Sequence, residues 1–337
     1  MQDDRVDIVV VIFIPPIVTN PEAVASAIRE VAPQFRHRGK TLLASFMSSH
    51  GSPTELGSGE EGYVPCFTFP EDSAAALARV CEYSEWLKRL KGVVPELGSI
   101  DKKKAAQIVE SALERSTARP LWLDATSTIG LLDSYGIRVA RSKSARTAEE
   151  AMATAREIGF PVALKLLSTT IAHKTEVGGV ILDLRSRREV KQAFIQLEER
   201  LASIRRENEM QGVIVQRMIS GGIEVIVGVT QDPSFGPLIL FGMGGIYTEL
   251  FKDTTFRIHP LTDVDAQEMV HSVKAYQLLE GWRGSKPCDV KAVEELLLRV
   301  SAMVEDLPQI AELDLNPVKV LEQNNGYVAV DARVVLS

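Results

Sequence analysis

The chain has 337 residues, of which 45% are hydrophobic and 25% are charged, and its formal net charge is −7. This composition is ordinary for a globular protein and excludes collagen, a coiled coil and wholesale disorder. The acidic balance argues against nucleic acid or an anionic membrane surface as the main partner. At about 150 residues per domain, the length predicts two or three domains.

Cysteine usage and hydropathy bear on the cellular compartment. Cys66, Cys81 and Cys288 lie far apart without CxxC spacing, which predicts neither a zinc site nor a disulfide framework. The longest apolar run, Ile8 to Ile14, is about a third of a membrane span and follows acidic rather than basic residues. The sequence therefore predicts a cytoplasmic protein without a signal peptide or a membrane span.

Strands and helices alternate over the first 92 residues. Short apolar runs bounded by breakers predict buried strands, namely Ile8–Ile14, Thr41–Phe46 and Phe67–Phe69. Helices are predicted from Pro21, with Asn20 as N-cap, and over Glu71–Leu90. This alternation predicts a parallel α/β sheet, although only about three strands fit.

The pattern changes after residue 92. Residues 93–120 are interpreted as a linker containing one helix of modest amphipathicity. The strands predicted beyond it include Val162–Leu167, Val180–Leu184, Val213–Gln216, Glu224–Val229, Leu238–Phe241, Ala311–Val320 and Tyr327–Val335. The predicted helices are Ser127–Ser134, Ala148–Ile158, Arg188–Arg206, Val264–Gln277 and Val290–Val304. Neighbouring strands joined by tight turns, with helices grouped apart, predict an α+β fold with antiparallel sheets.

Lys165 is the charged residue of an otherwise apolar predicted strand, Val162–Leu167. An unpaired buried ammonium costs several kcal/mol, so this side chain must reach solvent or meet an anion. The strand alone does not decide between these two possibilities.

His173 is followed closely by a glycine pair, Gly178 and Gly179. Backbone beside adjacent glycines can approach a ligand closely, and exposed amides bind phosphate. A histidine can act as an acid, a base or a phosphoryl acceptor. A single loop histidine usually has none of these roles, so His173 is a candidate only in combination with other residues.

Oxygen-bearing side chains alternate with leucines near the carboxyl end. Glu312, Asp314 and Asn316 share one strand face, and Leu313 and Leu315 take the other. Three such side chains on one face form a candidate cradle for Mg²⁺. A solvated strand face is the alternative.

Asp331 would add a carboxylate to this cradle. Asn325-Gly326 is a strong signal for a two-residue hairpin turn, which would place Asp331 opposite residue 320. Asp331 would then lie about four residues, roughly 13 Å, from Asn316 along the strand. The chain must therefore bend near Pro317 if the two side chains are to converge.

Two further elements are candidates on weaker grounds. Gly242, Gly244 and Gly245 follow a predicted strand and would let the backbone approach a phosphate, with a tight turn as the alternative. Arg257 has the geometry to bridge phosphate oxygens, with a surface arginine as the alternative.

Together these segments resemble the ATP-grasp region of the ADP-forming (NDP-forming) acyl-CoA synthetases, relatives of succinyl-CoA synthetase. The resemblance extends from about Trp122 to Leu336. The motifs that carry it include Gly159-Phe-Pro-Val-Ala-Leu-Lys, His173-Lys-Thr-Glu-Val-Gly-Gly-Val, Gly212-Val-Ile-Val-Gln-Arg-Met, Phe241-Gly-Met-Gly-Gly, Glu312-Leu-Asp-Leu-Asn-Pro and Asp331-Ala-Arg. Residues 1–92 resemble part of the family's flavodoxin-like domain.

The resemblance implies a fold of mixed class, α/β and α+β. A partial flavodoxin-like parallel sheet, residues 1–92, would be followed by the linker, residues 93–120. A two-lobed ATP-grasp fold would occupy residues 121–337, with lobes at about 121–219 and 220–337.

The resemblance also implies roles for the candidate residues. The family interconverts acyl-CoA, ADP and phosphate with free acid, CoA and ATP through phosphohistidine. The nucleotide, ATP or ADP, would be bound by Lys165 at its phosphates, by Gln216 and Met218 beside the adenine, by Glu224 at the ribose, and by Gly244 and Gly245. Asn316 and Asp331 would bind Mg²⁺, supported by Asp314. Arg257 would steady the phosphate, and His173 would be transiently phosphorylated.

The family's full single-chain form also has a CoA-binding Rossmann domain and a primary phosphohistidine in a Ser-His-Thr-Gly-like motif. No histidine of this sequence precedes Thr-Gly. We therefore expect this chain to carry out the nucleotide-dependent part of the reaction and not the CoA-dependent part. The CoA-binding and phosphohistidine domains are expected in cis or as a separate subunit, and the assembly is expected to be oligomeric.

Two other interpretations compete with this one. The chain could be a regulatory or vestigial nucleotide-binding module of a protein lysine acetyltransferase, which ATP binding without phosphoryl transfer would favour. It could also be an ATP-grasp ligase that works through a free acyl phosphate.

Overall fold

A computed structural model describes residues 3–14, 20–47, 51–57, 63–89, 91–168, 170–171, 177–245 and 253–337. The chain divides into two compact units, residues 1–90 and 91–337. Each unit buries apolar side chains of its own. Across the described ranges, no helix is both long and apolar enough to cross a bilayer.

The first unit is a parallel α/β sheet, as predicted. Its strands β1 (Ile8–Phe13), β2 (Thr41–Phe46) and β3 (Cys66–Phe67) pair in parallel in that order. Its helices are α1 (Pro21–His37), α2 (Thr54–Gly57) and α3 (Pro70–Lys88). Strand β3 ends earlier than the predicted Phe67–Phe69 because Phe69 is the N-cap of α3, where Pro70 begins the helix.

The second unit contains two antiparallel sheets, which confirms the predicted α+β arrangement. The smaller sheet has the order β5–β8–β6–β7, with strands β5 (Ser142–Ala145), β6 (Val162–Leu167), β7 (Val180–Leu184) and β8 (Gly212–Arg217). The larger sheet consists of β4 (Leu121–Trp122), β9 (Ile223–Asp232), β10 (Gly236–Met243), β11 (Thr254–Ile258), β12 (Ile310–Val320), β13 (Tyr327–Ala329) and β14 (Ala332–Leu336). Its order is β11–β10–β9–β12–β14–β4, and β13 also pairs with β12.

The helices of this unit are α4 (Lys102–Arg115), α5 (Ala125–Ser134), α6 (Ala148–Ile158), α7 (Arg187–Ser203), α8 (Asp263–Ser272), α9 (Gln277–Glu280) and α10 (Val290–Asp306). Helix α4 lies within the stretch interpreted as a linker. Its residues Ala105, Val109 and Ala112 are buried in the main core of the unit. The division of the chain into domains with a linker at residues 93–120 stays a prediction.

The larger sheet buries one face against helices. Val225, Val227 and Val229 of β9 and Leu313 and Leu315 of β12 share a core with residues of α8 and α10. Because side chains alternate along a strand, the residues between them point to the opposite face. We call that opposite face the outer face. It carries the polar residues of the predicted cradle.

One predicted helix, Val264–Gln277, is shorter than expected. Helix α8 ends at Ser272, and the buried Asp253 explains why. Its carboxylate accepts hydrogen bonds from the backbone N–H groups of Lys274 at 2.7 Å and Ala275 at 2.9 Å. These N–H groups are therefore not available to continue the helix.

The predicted register of the last hairpin is wrong by four residues. Val320 pairs with Tyr327, so the connection spans residues 321–326 instead of two residues at Asn325-Gly326. This register brings Asp331 directly opposite Asn316, whose N–H donates to the Asp331 carbonyl at 3.2 Å. Asp331 and Asn316 therefore lie next to each other without the offset along the strand that a two-residue turn would have produced.

The wider connection is held by a segment before α10. The N–H of Gln323 donates to the Pro287 carbonyl, and the N–H of Asp289 donates to the Leu321 carbonyl, each at 2.9 Å. One carboxylate oxygen of Asp289 accepts from the Gly326 N–H at 2.9 Å, and the other caps α10. Asp289 thus ties the start of α10 to the connection that determines the register of Asp331.

We predict that Asp289→Ala lowers the free energy of unfolding by about 1–2 kcal/mol, because a helix cap and a hydrogen bond to the connection are lost together. Thr147→Ala, which removes only the cap of α6, is the control and should cost about 1 kcal/mol. Chemical denaturation of both variants measures the difference. An Asp289→Ala variant as stable as the wild type would contradict this account of the connection.

Candidate nucleotide and magnesium site

Strand β12 departs from regular pairing where the candidate ligands lie. Its pairing with β9 passes from Leu315 opposite Val227 to Val318 opposite Val225, so two residues of β12 face one of β9. This is a β-bulge, and it contains Asn316, whose side chain is exposed. The bulge lies beside Pro317, where a bend was expected, but the register and not a bend brings Asp331 to Asn316; the bulge exposes Asn316 beside the partner strand.

The smaller sheet meets the larger one at Val330, next to Asp331. Gln216 of β8 is buried, and its Nε2 donates to the Val330 carbonyl at 2.9 Å. Nζ of Lys165 lies 3.4 Å from the same oxygen and 3.7 Å from Oδ1 of Asp331. The Lys165 side chain is only 16% exposed, so its ammonium group lies near the Asp331 carboxylate instead of extending into solvent.

Asp314 lies on the outer face, opposite Gly228 of β9 and Arg333 of β14. Burial raises the pKa of its carboxyl, the positive charge of Arg333 lowers it, and the negative charges of Asp331 and Glu312 raise it further. The net direction is upward. Ionised Asp314 is thus an unfavourable charge in the folded protein unless a further cation is bound nearby.

Glu224 lies further along the outer face, directly opposite Lys319 of β12. Oε1 of Glu224 is 2.9 Å from Nζ of Lys319. The N–H of Gly244 donates to the Glu224 carbonyl at 2.7 Å, and a Cβ at Gly244 would stand 2.8 Å from the Glu224 Cβ. Close approach of two strands therefore requires glycine at 244. Gly245 has a positive φ of +65°, and the phosphate-binding role of both glycines stays a prediction.

Two predicted residues are less informative in the structure. Met218 follows β8, is half-buried, and donates its N–H to the Pro161 carbonyl at 3.0 Å. Its contact with adenine stays a prediction. His173 lies outside the described residues.

The structure does not bring Arg257 to this group. Arg257 pairs with Ile239, whose side chain belongs to the helix-covered core, whereas Phe256 is in line with Leu240 on the outer face. The Arg257 guanidinium lies 3.4 Å from a carboxylate oxygen of Glu268 in α8. Arg257 therefore sits on the face opposite Asp314.

Three participants were missed by the sequence analysis. The first is the Val330 carbonyl, which accepts hydrogen bonds from Lys165 and Gln216. The second is Lys319, which forms an ion pair with Glu224, and the third is Arg333, which lies opposite Asp314. Period-two alternation from Asp331 would have pointed to Arg333, since both lie in the quoted Asp-Ala-Arg motif. A backbone carbonyl such as that of Val330 has no sequence signal.

The residues present fit a magnesium ion that is completed by a nucleotide. Within the described ranges, no group of three or more His, Cys, Asp and Glu side chains is arranged to hold a metal by itself. Asp331 and Asn316 supply hard oxygen donors on paired backbone segments. Mg²⁺ is commonly bound by one or two carboxylates together with substrate phosphates, so this smaller donor set is appropriate.

Comparison with known proteins defines the class first. Residues 114–336 match the ATP-grasp domain family, and these include both antiparallel sheets. The chain therefore belongs to the ATP-grasp proteins, and the predicted fold class is confirmed.

The relatives define the family. The chain is 42% identical over 236 residues to subunit beta of acetate–CoA ligase [ADP-forming] II from Pyrococcus furiosus, covering 70% of this chain and 99% of that subunit. It is 38% identical over 336 residues to acetate–CoA ligase [ADP-forming] I from Archaeoglobus fulgidus. That match covers 99% of this chain and 47% of the relative, so the chain spans about half its length. The chain belongs to the ADP-forming acetyl-CoA synthetase family, which confirms the predicted family, and it resembles the beta subunit.

Solved structures agree with this assignment. The dinucleotide forming acetyl-coenzyme A synthetase 1 of Ca. Korarchaeum cryptofilum, in complex with coenzyme A, Ca-AMPCP and HgCl+, aligns with a TM-score of 0.64 and 39% identity. The match covers 69% of this chain and all of that one. Another structure of that enzyme contains coenzyme A and Mg-AMPPCP, with its phosphohistidine segment pointing towards the nucleotide binding site. Homologous ATP-grasp domains thus bind Mg-nucleotide.

We predict that Asp314→Asn stabilises the protein at pH 7 in buffer containing EDTA. The folded-state pKa of Asp314 is raised, so the folded protein holds this proton more tightly than the unfolded chain does. Stability is therefore lost as pH rises from the ordinary pKa of 3.8 through the folded value. An amide carries no such cost. The melting temperature should exceed that of the wild type at pH 7, and the difference should shrink towards pH 3.

Asp133→Asn is the matched control, because Asp133 is exposed and forms a surface ion pair with Lys104. Its loss should change stability by no more than about 0.5–1 kcal/mol. A melting temperature of Asp314→Asn at or below that of the wild type at pH 7 would contradict the unfavourable burial of this carboxylate.

Proposed function

We propose that the chain is the ATP/ADP- and Mg²⁺-binding phosphoryl-transfer module of an ADP-forming acyl-CoA synthetase. The full reaction interconverts acyl-CoA, ADP and phosphate with the free acid, CoA and ATP. The observation that supports this most is the meeting of the two sheets, where Lys165, Gln216 and Asp331 converge on Val330. A nucleotide held between the sheets would place its phosphates beside both the lysine and the candidate magnesium ligands.

Each residue then has a physical task. Lys165 binds phosphate oxygens, Gln216 and Met218 border the adenine, and Glu224 binds the ribose. Gly244 and Gly245 allow the backbone to approach the phosphates. Phosphoryl transfer demands positioning and charge neutralisation more than covalent work from the protein, which suits a site built of fixed charges on strands.

Asn316 and Asp331 would hold Mg²⁺, with Asp314 in support. The bound ion would neutralise charge on the phosphates. The raised pKa of Asp314 supports this assignment, because a bound cation would compensate the burial that disfavours its ionised form.

His173 would carry the phosphoryl group transiently. In the direction of ATP formation, a terminal oxygen of ADP attacks the phosphorus of phosphohistidine. The new O–P bond forms as the N–P bond breaks, and the imidazole nitrogen keeps the electron pair. The phosphohistidine segment of the Korarchaeum enzyme, which points towards the nucleotide binding site of that enzyme, supports a relay of this kind.

The remaining parts of the enzyme are supplied elsewhere in this proposal. A CoA-binding domain and a primary phosphohistidine would act in cis or as a separate subunit, in an oligomeric cytoplasmic assembly. The geometry does not favour the role proposed for Arg257, because that arginine lies on the helix-covered face.

We predict that Lys165→Met weakens Mg-ADP binding by about 10- to 100-fold, since a charge-assisted contact worth about 1.5–3 kcal/mol is lost. Isothermal titration calorimetry on the full chain measures this. Lys143→Met is the control, because Lys143 is an exposed lysine paired with Glu157 and should leave the affinity unchanged. Equal affinities for the wild type and Lys165→Met would remove Lys165 from the nucleotide site.

We predict that [γ-³²P]ATP with Mg²⁺ leaves acid-labile label on the wild-type chain and that His173→Gln reduces the label at least about tenfold, because phosphoramidates hydrolyse in acid and glutamine cannot form one. His271→Gln, at a histidine stacked on Tyr276, should retain the label. Label that persists in His173→Gln would exclude the phosphohistidine role. ATP binding with no label on the wild type would favour the regulatory module of an acetyltransferase.

A further inference from the structure

Arg333 occupies the outer face of the larger sheet beside the candidate magnesium ligands. It pairs with Asp314 across strands β14 and β12. Its neighbours Val334 and Leu336 are buried in the helix-covered core, so alternation turns Arg333 to the opposite face, where it is exposed. Asp314 and Arg333 therefore present a carboxylate and a guanidinium side by side.

The other cations around the site already form ion pairs with carboxylates. Lys165 lies by Asp331, and Lys319 by Glu224. None of the ion pairs within the described part of the chain includes Arg333, although Arg333 lies across from Asp314 on the neighbouring strand. Arg333 is thus a cation of this face that is left for a bound anion.

The distance to the proposed phosphates is suitable. Arg333 lies two residues beyond Asp331, which corresponds to about 7 Å along an antiparallel strand. A side chain as long as arginine can cover much of that length. The guanidinium can therefore approach an anion that is bound between Asp331 and Lys165.

We propose that Arg333 binds the terminal phosphoryl group of the nucleoside triphosphate at this site. The inference rests on the proposed function and gives Arg333 the role that the family resemblance implied for Arg257. A planar guanidinium can hold two phosphate oxygens at once through paired hydrogen bonds. Such a contact stabilises the charge that moves between donor and acceptor oxygens during phosphoryl transfer.

The experiment compares two nucleotides that differ by the terminal group. Mg-ADP and the non-hydrolysable Mg-AMPPCP are titrated into the full chain, its Arg333→Gln variant and its Arg333→Lys variant. Arg333→Gln should weaken Mg-AMPPCP at least about tenfold while Mg-ADP changes less than about threefold, because only the triphosphate analogue presents the extra group. Arg333→Lys should fall between, since it keeps the charge and loses the two-pronged geometry.

Arg185→Gln is the matched control, because Arg185 is an exposed arginine paired with Asp183. It should leave both affinities unchanged. An equal loss for the two nucleotides in Arg333→Gln would overturn the proposal, since a general effect on Asp314 or on Mg²⁺ would then suffice. Unchanged affinities would overturn it as well.

Two further outcomes are distinguishable. If Arg333→Gln proves unfolded by circular dichroism, Arg333→Lys decides, and wild-type affinity for both nucleotides in that variant overturns the proposal. If the wild-type chain binds neither nucleotide, the proposed function itself fails, and the inference about Arg333 fails with it.

Discussion

The candidate site depends on one backbone register, the pairing of Asp331 with Asn316. A strand has a side-chain period of two, so a slip of β14 by one residue would turn Arg333 into the core, and a slip of two would separate the magnesium ligands by about 7 Å. The register is held from outside the two strands, by the residues before α10 that bind the connection between them. The bulge at Asn316 exposes one ligand and shifts the alternation of β12 by one residue, so that Val318 and Val320 point into the core beyond it.

This dependence explains what the sequence could and could not predict. Apolar runs identified most strands of the second unit closely, for example Val162–Leu167 and Val180–Leu184, because burial of strands leaves a local signal. The register of the last hairpin has no local sequence signal that is equally clear. Asn325-Gly326 suits a two-residue turn, but a longer connection is held by its hydrogen bonds to the Pro287 carbonyl and with Asp289, two residues that are distant in sequence. The early end of α8 has the same origin, in the carboxylate of Asp253.

The two arginines show a second limit of sequence patterns. On the edge strand β11, Phe256 and Ile258 lie on the outer face with 47% and 52% of their surface exposed. Arg257 points towards the helices, where it forms an ion pair with Glu268. Polar and apolar positions are thus reversed from the usual order of a half-buried strand. In β14 the order is normal, with Val334 and Leu336 inside and Arg333 outside. A sequence motif that contains an arginine does not show to which face of the sheet the side chain points, whereas the strand register does.

The distances around Lys165 are compatible with the proposed contact between its ammonium group and a phosphate. Charge-assisted hydrogen bonds between nitrogen and oxygen are commonly about 2.7–2.9 Å long, but Nζ of Lys165 lies 3.4 Å from the Val330 carbonyl and 3.7 Å from Asp331. Gln216 reaches the same carbonyl at 2.9 Å and holds the two sheets together there. Because the side-chain amide of Gln216 makes the close contact between the two sheets, the contact does not depend on the ammonium group of Lys165. A phosphate oxygen would complete its coordination at little cost to the fold.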